Sequence, residues 1–385
     1  DDGGVPIYPG GPPDGSACVK LYFACKLAGH TADEPFMRRL RECILRLGGV
    51  TECNTFTKLY LAIFGQYDWD GVPTIPPELM LAPRWFYVNV YAMSSWSRAI
   101  LIPLAIINAA RPFRTVPPEC SIDELFVGGR RTCDQRLRWD PRLVSWRNVF
   151  LLADRLLKLH EASPFKPFRT AAMRRATRWL LDHLQDSDGL AAVFPAMAHA
   201  VMALRCLGYS LDAPEIQHEL EELQRFAIED ERGLRLQPCL SPVWDTAIAI
   251  NAILGSSRDP SLSSKASASV RSAVEWLLAR EVRTYGDWAV TVRNVQPGGW
   301  AFEYRNPFYP DTDDTAMVLM ALQKALPLLD RPQAVHEAMG RAVRWILAMQ
   351  SRNGGWASFD RDNTRTVLQY VPYADHNAML DPPTV

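Results

Sequence analysis

The chain has 385 residues, which is enough for two domains with sizeable hydrophobic cores. Its formal net charge is −1, so bulk electrostatics argues against a nucleic-acid partner. The eight cysteines form no Cys-x-x-Cys pair and several lie in apolar helical sequence, which predicts reduced core thiols in a cytosolic protein, not a disulfide framework or a zinc site.

Apolar runs are too short to cross a bilayer, because none approaches the ~20 residues that a spanning helix needs. The longest, from Ala99 to Ala110, carries Pro103. Both ends of the chain have the composition of loops, without a closing element. This pattern indicates a fragment of a longer protein.

Helical periodicity recurs along most of the chain, whereas the alternation typical of strands is scarce. Four segments share a small or polar start followed by an apolar run, and they span 15–29, 194–208, 244–253 and 313–322. The last two superpose best, since each reads Asp-Thr-Ala, four further residues, then Ala and Ile or Leu. An internal repeat of this kind is typical of helical repeat architectures.

Helices of a second, amphipathic type fall between these segments, at 176–181, 273–278 and 342–347, each with a central tryptophan. Alternation of apolar and amphipathic helices predicts an all-α fold of double-layered α/α toroids, with the apolar set as the inner ring. Trp244 and Asp313 occupy the same place in equivalent repeats, so we expect both side chains to project from one rim toward one cavity.

Three carboxylates, those of Asp311, Asp313 and Asp314, crowd into four positions before an apolar helix and after an aromatic loop at 298–304. One interpretation is structural: Asp is a good N-cap, and acidic residues in a first turn suit the helix dipole. The other is chemical. Mutual repulsion and burial both penalise ionisation, so one member of such a cluster can keep its proton at neutral pH.

The helix at 342–347 continues into a Gln-x-x-x-Gly-Gly-Trp loop that contains Gln350, Gly355 and Trp356. Gln350 is expected to hydrogen-bond unpaired amides at a neighbouring helix end while Trp356 stacks nearby. We interpret this loop, and the tryptophans of the amphipathic helices, as structural.

Residues 111–141 are rich in proline and arginine and are typical of a linker. A basic amphipathic helix is predicted from about 143 to 160, with Trp146, Val149 and Leu156 among the residues of its apolar face. Such a helix suits a membrane surface, with the aromatic side dipping into the headgroup boundary. The alternative is an ordinary surface helix packed on the toroid.

Together these motifs resemble the squalene–hopene cyclases, which are class II triterpene cyclases. Four stretches carry the resemblance, namely 95–98, 241–246, 298–316 and 350–356. An Asp-x-Asp-Asp motif alone is weak evidence, but it is specific together with the flanking aromatic residues and the glutamine–tryptophan loop. The similarity covers essentially the whole chain.

The resemblance implies two α/α barrels with a large apolar cavity, in a protein that is monotopic on the membrane. Residues 1–240 would be most of the membrane-binding barrel, without the family's first helices, and 241–385 the first part of the catalytic barrel. Asp313 would protonate a terminal alkene of squalene, while Asp311 and Asp314 would raise its proton affinity and hold it in place.

The cavity would be lined by aromatic rings that stabilise carbocations, and the resemblance assigns this role to Trp96, Trp244, Phe302 and Phe359. The implied reaction converts squalene to hopene or hopanol without a metal, nucleotide or redox cofactor. The implied location is the cytoplasmic face of a bacterial-type cell membrane, with a homodimer as one possible assembly.

One departure from the family concerns a histidine that orients the acid, which would lie shortly after Val385. The remaining aromatic residues of the catalytic barrel would also follow that point. We therefore expect the 385-residue piece alone to be inactive in converting squalene to hopene, and poorly stable.

Two other functions compete with this interpretation. A class II diterpene cyclase would use the same acid on a prenyl diphosphate, but the chain has no Asp-Asp-x-x-Asp metal motif. A helical-repeat protein that only binds lipid needs apolar walls but no clustered acids. Residues 360–363 resemble part of a calcium loop but lack its glycine and distal glutamate, so a solvated turn is the better interpretation, and no metal site is predicted.

Overall fold

A computed structural model describes residues 3–256, 264–374 and 378–384. Most of the described secondary structure is α-helical. The helices, in chain order, are α1 (Gly15–Leu27), α2 (Pro35–Arg46), α3 (Thr55–Ile63), α4 (Ser95–Ala110), α5 (Trp146–Ala162), α6 (Arg169–Leu184), α7 (Phe194–Cys206), α8 (Pro214–Arg225), α9 (Pro242–Ser256), α10 (Ser264–Leu278), α11 (Thr312–Ala325) and α12 (Gln333–Met349). The two strands are β1 (Ala227–Asp230) and β2 (Gly233–Leu236).

The chain folds into two compact units that each combine distant stretches of sequence. The first unit contains residues 1–76, 107–166 and 369–377, and it holds helices α1, α2, α3 and α5. Two of its helix starts follow from the sequence, because Asp14 and Asn54 are N-caps. The side chain of each accepts a hydrogen bond from the backbone N–H of the residue three positions later. Lys26 is buried in this unit and pairs with Glu124 at 2.8 Å.

The second unit contains residues 77–106, 167–368 and 378–385. At its centre α9 packs against α11, and α10 and α12 pack on this pair. Small residues such as Ala247 and Ala321 are fully buried between the helices and allow the backbones to approach closely. The predicted similarity of 244–253 and 313–322 therefore corresponds to two adjacent apolar helices. Closure of the helices into a toroid stays a prediction.

The β1–β2 hairpin is an addition to the all-α prediction. Its strands are antiparallel and pair Ala227 with Leu236 and Asp230 with Gly233. Gly233 has a φ of 112°, a conformation that favours glycine, and this permits the tight turn. Nearly all the strand residues are exposed, so the hairpin lacks the apolar alternation by which strands are recognised in a sequence.

Helix α5 confirms the predicted helix at about 143–160, shifted by two to three residues to Trp146–Ala162. All eight cysteines are free, four of them buried and four of them partly exposed. None of the described helices combines the length and apolar character that a membrane span requires.

The glutamine–tryptophan loop differs from the expected arrangement. Gln350 is the C-cap of α12, and its side-chain amide donates a hydrogen bond to the carbonyl of Gly354 at 2.7 Å. Trp356 donates its indole N–H to the carbonyl of Ile346 at 2.8 Å. The glutamine thus closes its own loop, where a φ of 91° at Gly354 makes the turn, in place of the expected partner at a neighbouring helix end.

Candidate active site

The acidic stretch forms the N-terminal turn of α11. Asp311 is the N-cap, and its Oδ1 accepts a hydrogen bond from the backbone N–H of Asp314 at 2.7 Å. The backbone of Asp311 pairs with Trp300, whose own N–H donates to the hydroxyl of Thr315 at 2.9 Å. The capping interpretation is therefore correct for Asp311, and the aromatic loop is fixed against the same turn.

Capping does not satisfy the whole cluster. Asp311 is 3% exposed and Asp314 is 2% exposed, and each has one buried carboxyl oxygen without a hydrogen-bond partner among the described residues. Burial, together with the neighbouring Asp314 carboxyl, raises the pKa of Asp311 well above its usual range. Burial also raises the pKa of Asp314 to about 6. The turn can therefore hold a proton near neutral pH, as the chemical interpretation predicts.

Asp313 lies between these two residues but points differently. Its side chain is exposed in the described structure, and its Oδ2 accepts a hydrogen bond from the hydroxyl of Ser358 at 2.8 Å. The two buried carboxyls thus flank an accessible one. The burial expected for the cluster therefore does not extend to Asp313 in the described structure.

Two of the four predicted aromatic residues are in direct contact. The rings of Trp96 and Phe359 meet edge to face with centroids 5.5 Å apart, and Phe359 contacts Tyr309 in the same way at 6.5 Å. These three rings line a small cavity. Phe359 directly follows Ser358, whose hydroxyl hydrogen-bonds to Asp313, so this ring lies next in sequence to a residue that contacts the acidic turn.

The other two predicted aromatic residues, Trp244 and Phe302, are half-buried. They are linked through the backbone, since the N–H of Val243 donates to the carbonyl of Phe302 at 3.3 Å. This bond joins the start of α9 to the aromatic loop. Of the four predicted rings, Trp96 and Phe359 are therefore in contact. Trp244 and Phe302 lie on two segments that a backbone hydrogen bond joins.

Glu303 is a buried carboxyl to which the sequence analysis assigned no role. It is 4% exposed, lines the same small cavity, and accepts a hydrogen bond from the side chain of Asn306 at 3.0 Å. Burial raises the pKa of Glu303 to about 8, with a smaller contribution from the charge of Asp314. The available signal was a single acid inside the aromatic loop at 298–304.

Replacing Glu303 is expected to change how stability depends on pH. Because its pKa is higher in the folded state, its protonated form stabilises the fold fully below the unfolded value, and this contribution is lost as the pH rises toward about 8. Glu303→Gln should therefore flatten the fall of the unfolding temperature between about pH 5 and pH 8. Glu337→Gln, at an exposed position, is the control; an unchanged slope for Glu303→Gln would contradict the assignment.

A buried ion-pair network lies beside the site. Arg98 is 1% exposed and donates to Asp287 at 2.6 Å and to Asp360 at 2.9 Å. His183 and the hydroxyl of Tyr309 also contact Asp287, at 3.1 and 3.2 Å. Burial alone would raise the pKa of Asp287, but Arg98 and His183 hold it well below its usual range. The network ties Tyr309, two residues before the acidic turn, to the core.

Asp360 is buried, in contrast to the solvent-exposed turn that the sequence predicted at 360–363. The solvated-turn interpretation of 360–363 is wrong for this residue, which is 3% exposed and accepts hydrogen bonds from Arg98 and from the backbone N–H of Ser95. No group of three potential metal-binding side chains occurs among the residues that the structure describes.

Comparison with known proteins places these features in context. A family model for the squalene-hopene cyclase N-terminal domain matches residues 1–232, and one for the squalene-hopene cyclase C-terminal domain matches residues 240–385. A squalene–hopene cyclase of Zymomonas mobilis is 40% identical over 100% of the chain. One of Schizosaccharomyces japonicus is 38% identical, and a dammaradiene synthase of Dryopteris crassirhizoma 34% identical, each over 99% of the chain. The chain spans 58%, 58% and 54% of these three relatives, respectively.

Proposed function

Since the chain belongs to the squalene-hopene cyclase family, we propose that the full-length protein cyclises squalene to pentacyclic hopene and hopanol. The observation that carries the proposal is the first turn of α11. It contains two buried carboxyls of raised pKa beside a third, accessible carboxyl. This arrangement suits the transfer of a proton to an alkene. A protein that only binds lipid has no need of such clustered acids.

In the proposed mechanism Asp313 is the acid. Its proton passes to the less substituted carbon of the terminal double bond of squalene, whose π electrons form the new C–H bond and leave a tertiary carbocation and a carboxylate. Asp311 and Asp314, the two buried carboxyls of raised pKa, can hold a proton and return it to Asp313 for the next cycle.

The carbocation then needs surroundings that neither quench it nor leave it unsolvated. Aromatic faces attract cations through their quadrupoles, by ~2 kcal/mol or more when desolvated. Trp96 and Phe359, already in contact, are proposed as one such surface, and Trp244 and Phe302 as another. Each ring closure moves the positive charge along the folded chain. Loss of a proton from the last cation gives hopene, whereas addition of water followed by loss of a proton gives hopanol.

The test is incubation of the purified full-length protein with squalene, followed by mass-spectrometric identification of the products. Pentacyclic alkene and alcohol support the proposal. A bicyclic product from a prenyl diphosphate, with none from squalene, would indicate a diterpene cyclase. Saturable squalene binding without any product would indicate a lipid-binding protein.

We also propose that the part of the chain up to residue 240 contributes the membrane-binding domain, that residues 241–385 contribute the first part of the catalytic domain, and that helix α5 lies on the cytoplasmic face of the membrane. One side of α5 carries exposed apolar residues at helical spacing, namely Trp146, Val149, Leu152, Leu156 and Leu159. Its opposite side is held in the fold, since Asp154 accepts a hydrogen bond from the N–H of Thr74 at 2.7 Å. Basic residues flank the exposed stripe and would contact anionic headgroups.

Introducing charge into this stripe should release the protein from lipid. Leu152 and Leu156 are 54% and 61% exposed, so a Leu152→Glu, Leu156→Glu variant should fold normally. Its binding to phosphatidylglycerol vesicles should fall about 10-fold or more, because apolar burial is lost and anionic headgroups repel the new charge. Leu234→Glu with Leu236→Glu, on the exposed hairpin, is the matched control. Equal vesicle binding by both variants in a flotation assay would contradict the assignment.

A further inference from the structure

The segment at 357–360 is bound to the acidic turn along its backbone. The N–H of Thr312 donates to the carbonyl of Ser358 at 2.9 Å, and the hydroxyl of Thr312 donates to the carbonyl of Ala357 at 2.8 Å. Thr312 is only 6% exposed, so both bonds are shielded from competing water. The segment therefore moves with the first turn of α11.

The other side of the segment is also held. Three successive N–H groups, those of Ser358, Phe359 and Asp360, donate to the carboxylate of Asp381 at 3.1, 2.7 and 2.9 Å. The Asp360 carboxylate accepts from the buried guanidinium of Arg98. With both sides fixed, Ser358 loses little additional conformational freedom when its hydroxyl makes a directed hydrogen bond.

That hydroxyl donates to Oδ2 of Asp313 at 2.8 Å. We infer that Ser358 is a positioning residue for the acid, an inference that rests on the function proposed above. Because the carbonyl oxygen of a carboxylic acid accepts a hydrogen bond better than its hydroxyl oxygen does, this bond favours the tautomer that carries the transferable proton on Oδ1. The serine therefore decides which oxygen delivers the proton, and it holds the carboxyl beside the segment that carries Phe359.

The same bond also favours the transfer itself. When the proton leaves Oδ1, Asp313 becomes a carboxylate, and a hydrogen bond to a charged acceptor is stronger than one to a neutral acceptor. The bond thus strengthens as the reaction proceeds and contributes more to the transition state than to substrate binding. Loss of the hydroxyl should lower kcat and leave KM nearly unchanged.

The test compares three variants of the full-length protein with squalene as substrate. Ser358→Ala should lower kcat about 10-fold, with KM and the unfolding temperature close to those of the wild type. Ser358→Thr, which keeps a hydroxyl, should recover most of this loss. Thr291→Ala removes a hydroxyl that, among the described residues, donates to the carbonyl of Trp288 at 3.1 Å, and it serves as the control with unchanged kcat.

Three results would overturn the inference. They are a kcat within about 2-fold of wild type for Ser358→Ala, a loss that Ser358→Thr does not reverse, and a loss that appears equally in KM. Failure of the proposed function looks different. In that case the wild type itself forms no cyclised product, or Asp313→Asn retains full activity, whatever residue 358 is.

Discussion

Asp313→Asn is expected to abolish squalene cyclisation by the full-length protein, with a fall in kcat of about 10³-fold or more. The amide has nearly the shape of the carboxyl and can still accept the hydrogen bond from Ser358. It has no proton acidic enough for an alkene. The side chain is exposed in the described structure and caps no helix, so the fold should be unaffected. Product formation and thermal unfolding, measured on the same preparation, check both statements.

The control for this substitution is Asp330→Asn, another exposed aspartate close to a helix start. It should change neither product formation nor stability. Binding of squalene should survive in Asp313→Asn, because the apolar and aromatic walls are unchanged. Cyclisation at more than about a tenth of the wild-type rate would rule out Asp313 as the acid and would direct attention to Asp311 or Asp314, whose raised pKa values also suit proton storage.

The local features of the acidic turn could be predicted from the sequence because their causes are local. An aspartate directly before an apolar helical run caps that helix, and Asp311 does so. The repeated Asp-Thr-Ala pattern likewise indicated that α9 and α11 are equivalent, and they pack side by side. In both cases the information lies within about one helical turn or one repeat length.

Features that depend on distant partners could not be predicted in the same way. Arg98 pairs with Asp287 across 189 positions and with Asp360 across 262, and Ser358 reaches Asp313 across 45. No periodicity connects such residues, because tertiary packing decides which charges meet. Asp360 therefore suggested a solvated turn, although it is buried. Glu303 gave only the weak signal of one acid among aromatic residues.

Exposure of Asp313 has a related cause. Sequence patterns identify which residues share a turn, but they do not specify what covers that turn. The described residues bury Asp311 and Asp314 and leave Asp313 accessible. The assignment of Asp313 as the acid, which the family resemblance implies, stays a prediction, and the sequence alone did not indicate that its side chain is exposed in the described structure.

Of the substitutions proposed for this protein, Arg98→Ala should cause the largest loss of folding stability. Arg98 is fully enclosed and donates to Asp287, to Asp360 and to the carbonyls of Val90 and Met93. Removing one partner of a buried ionic network leaves charges without compensation, which typically costs about 3–5 kcal/mol. We expect a fall of several degrees in the unfolding temperature of the full-length protein, measured by differential scanning calorimetry.

The pH dependence of this loss distinguishes a broken ion pair from a simple cavity. In the wild type, Arg98 holds the pKa of Asp287 low, so the pair stabilises the fold above the unfolded pKa of that carboxyl and the contribution is lost as the pH falls. In Arg98→Ala the unpaired buried carboxyls bind protons more tightly when folded, so the variant regains stability in acid. The difference between the two proteins should therefore shrink toward low pH, whereas a cavity would cost the same at every pH.

Two further variants separate the contribution of the buried charges from that of packing. Arg352→Ala removes an arginine that is 89% exposed, and it should change the unfolding temperature by little. Adding Asp287→Asn and Asp360→Asn to Arg98→Ala removes both stranded charges, so part of the lost stability should return. A triple variant that is less stable than Arg98→Ala alone would contradict the ion-pair explanation. The carboxylates would then be stabilised by their other partners, His183, Tyr309 and Ser95. In that case Arg98 would act mainly by packing.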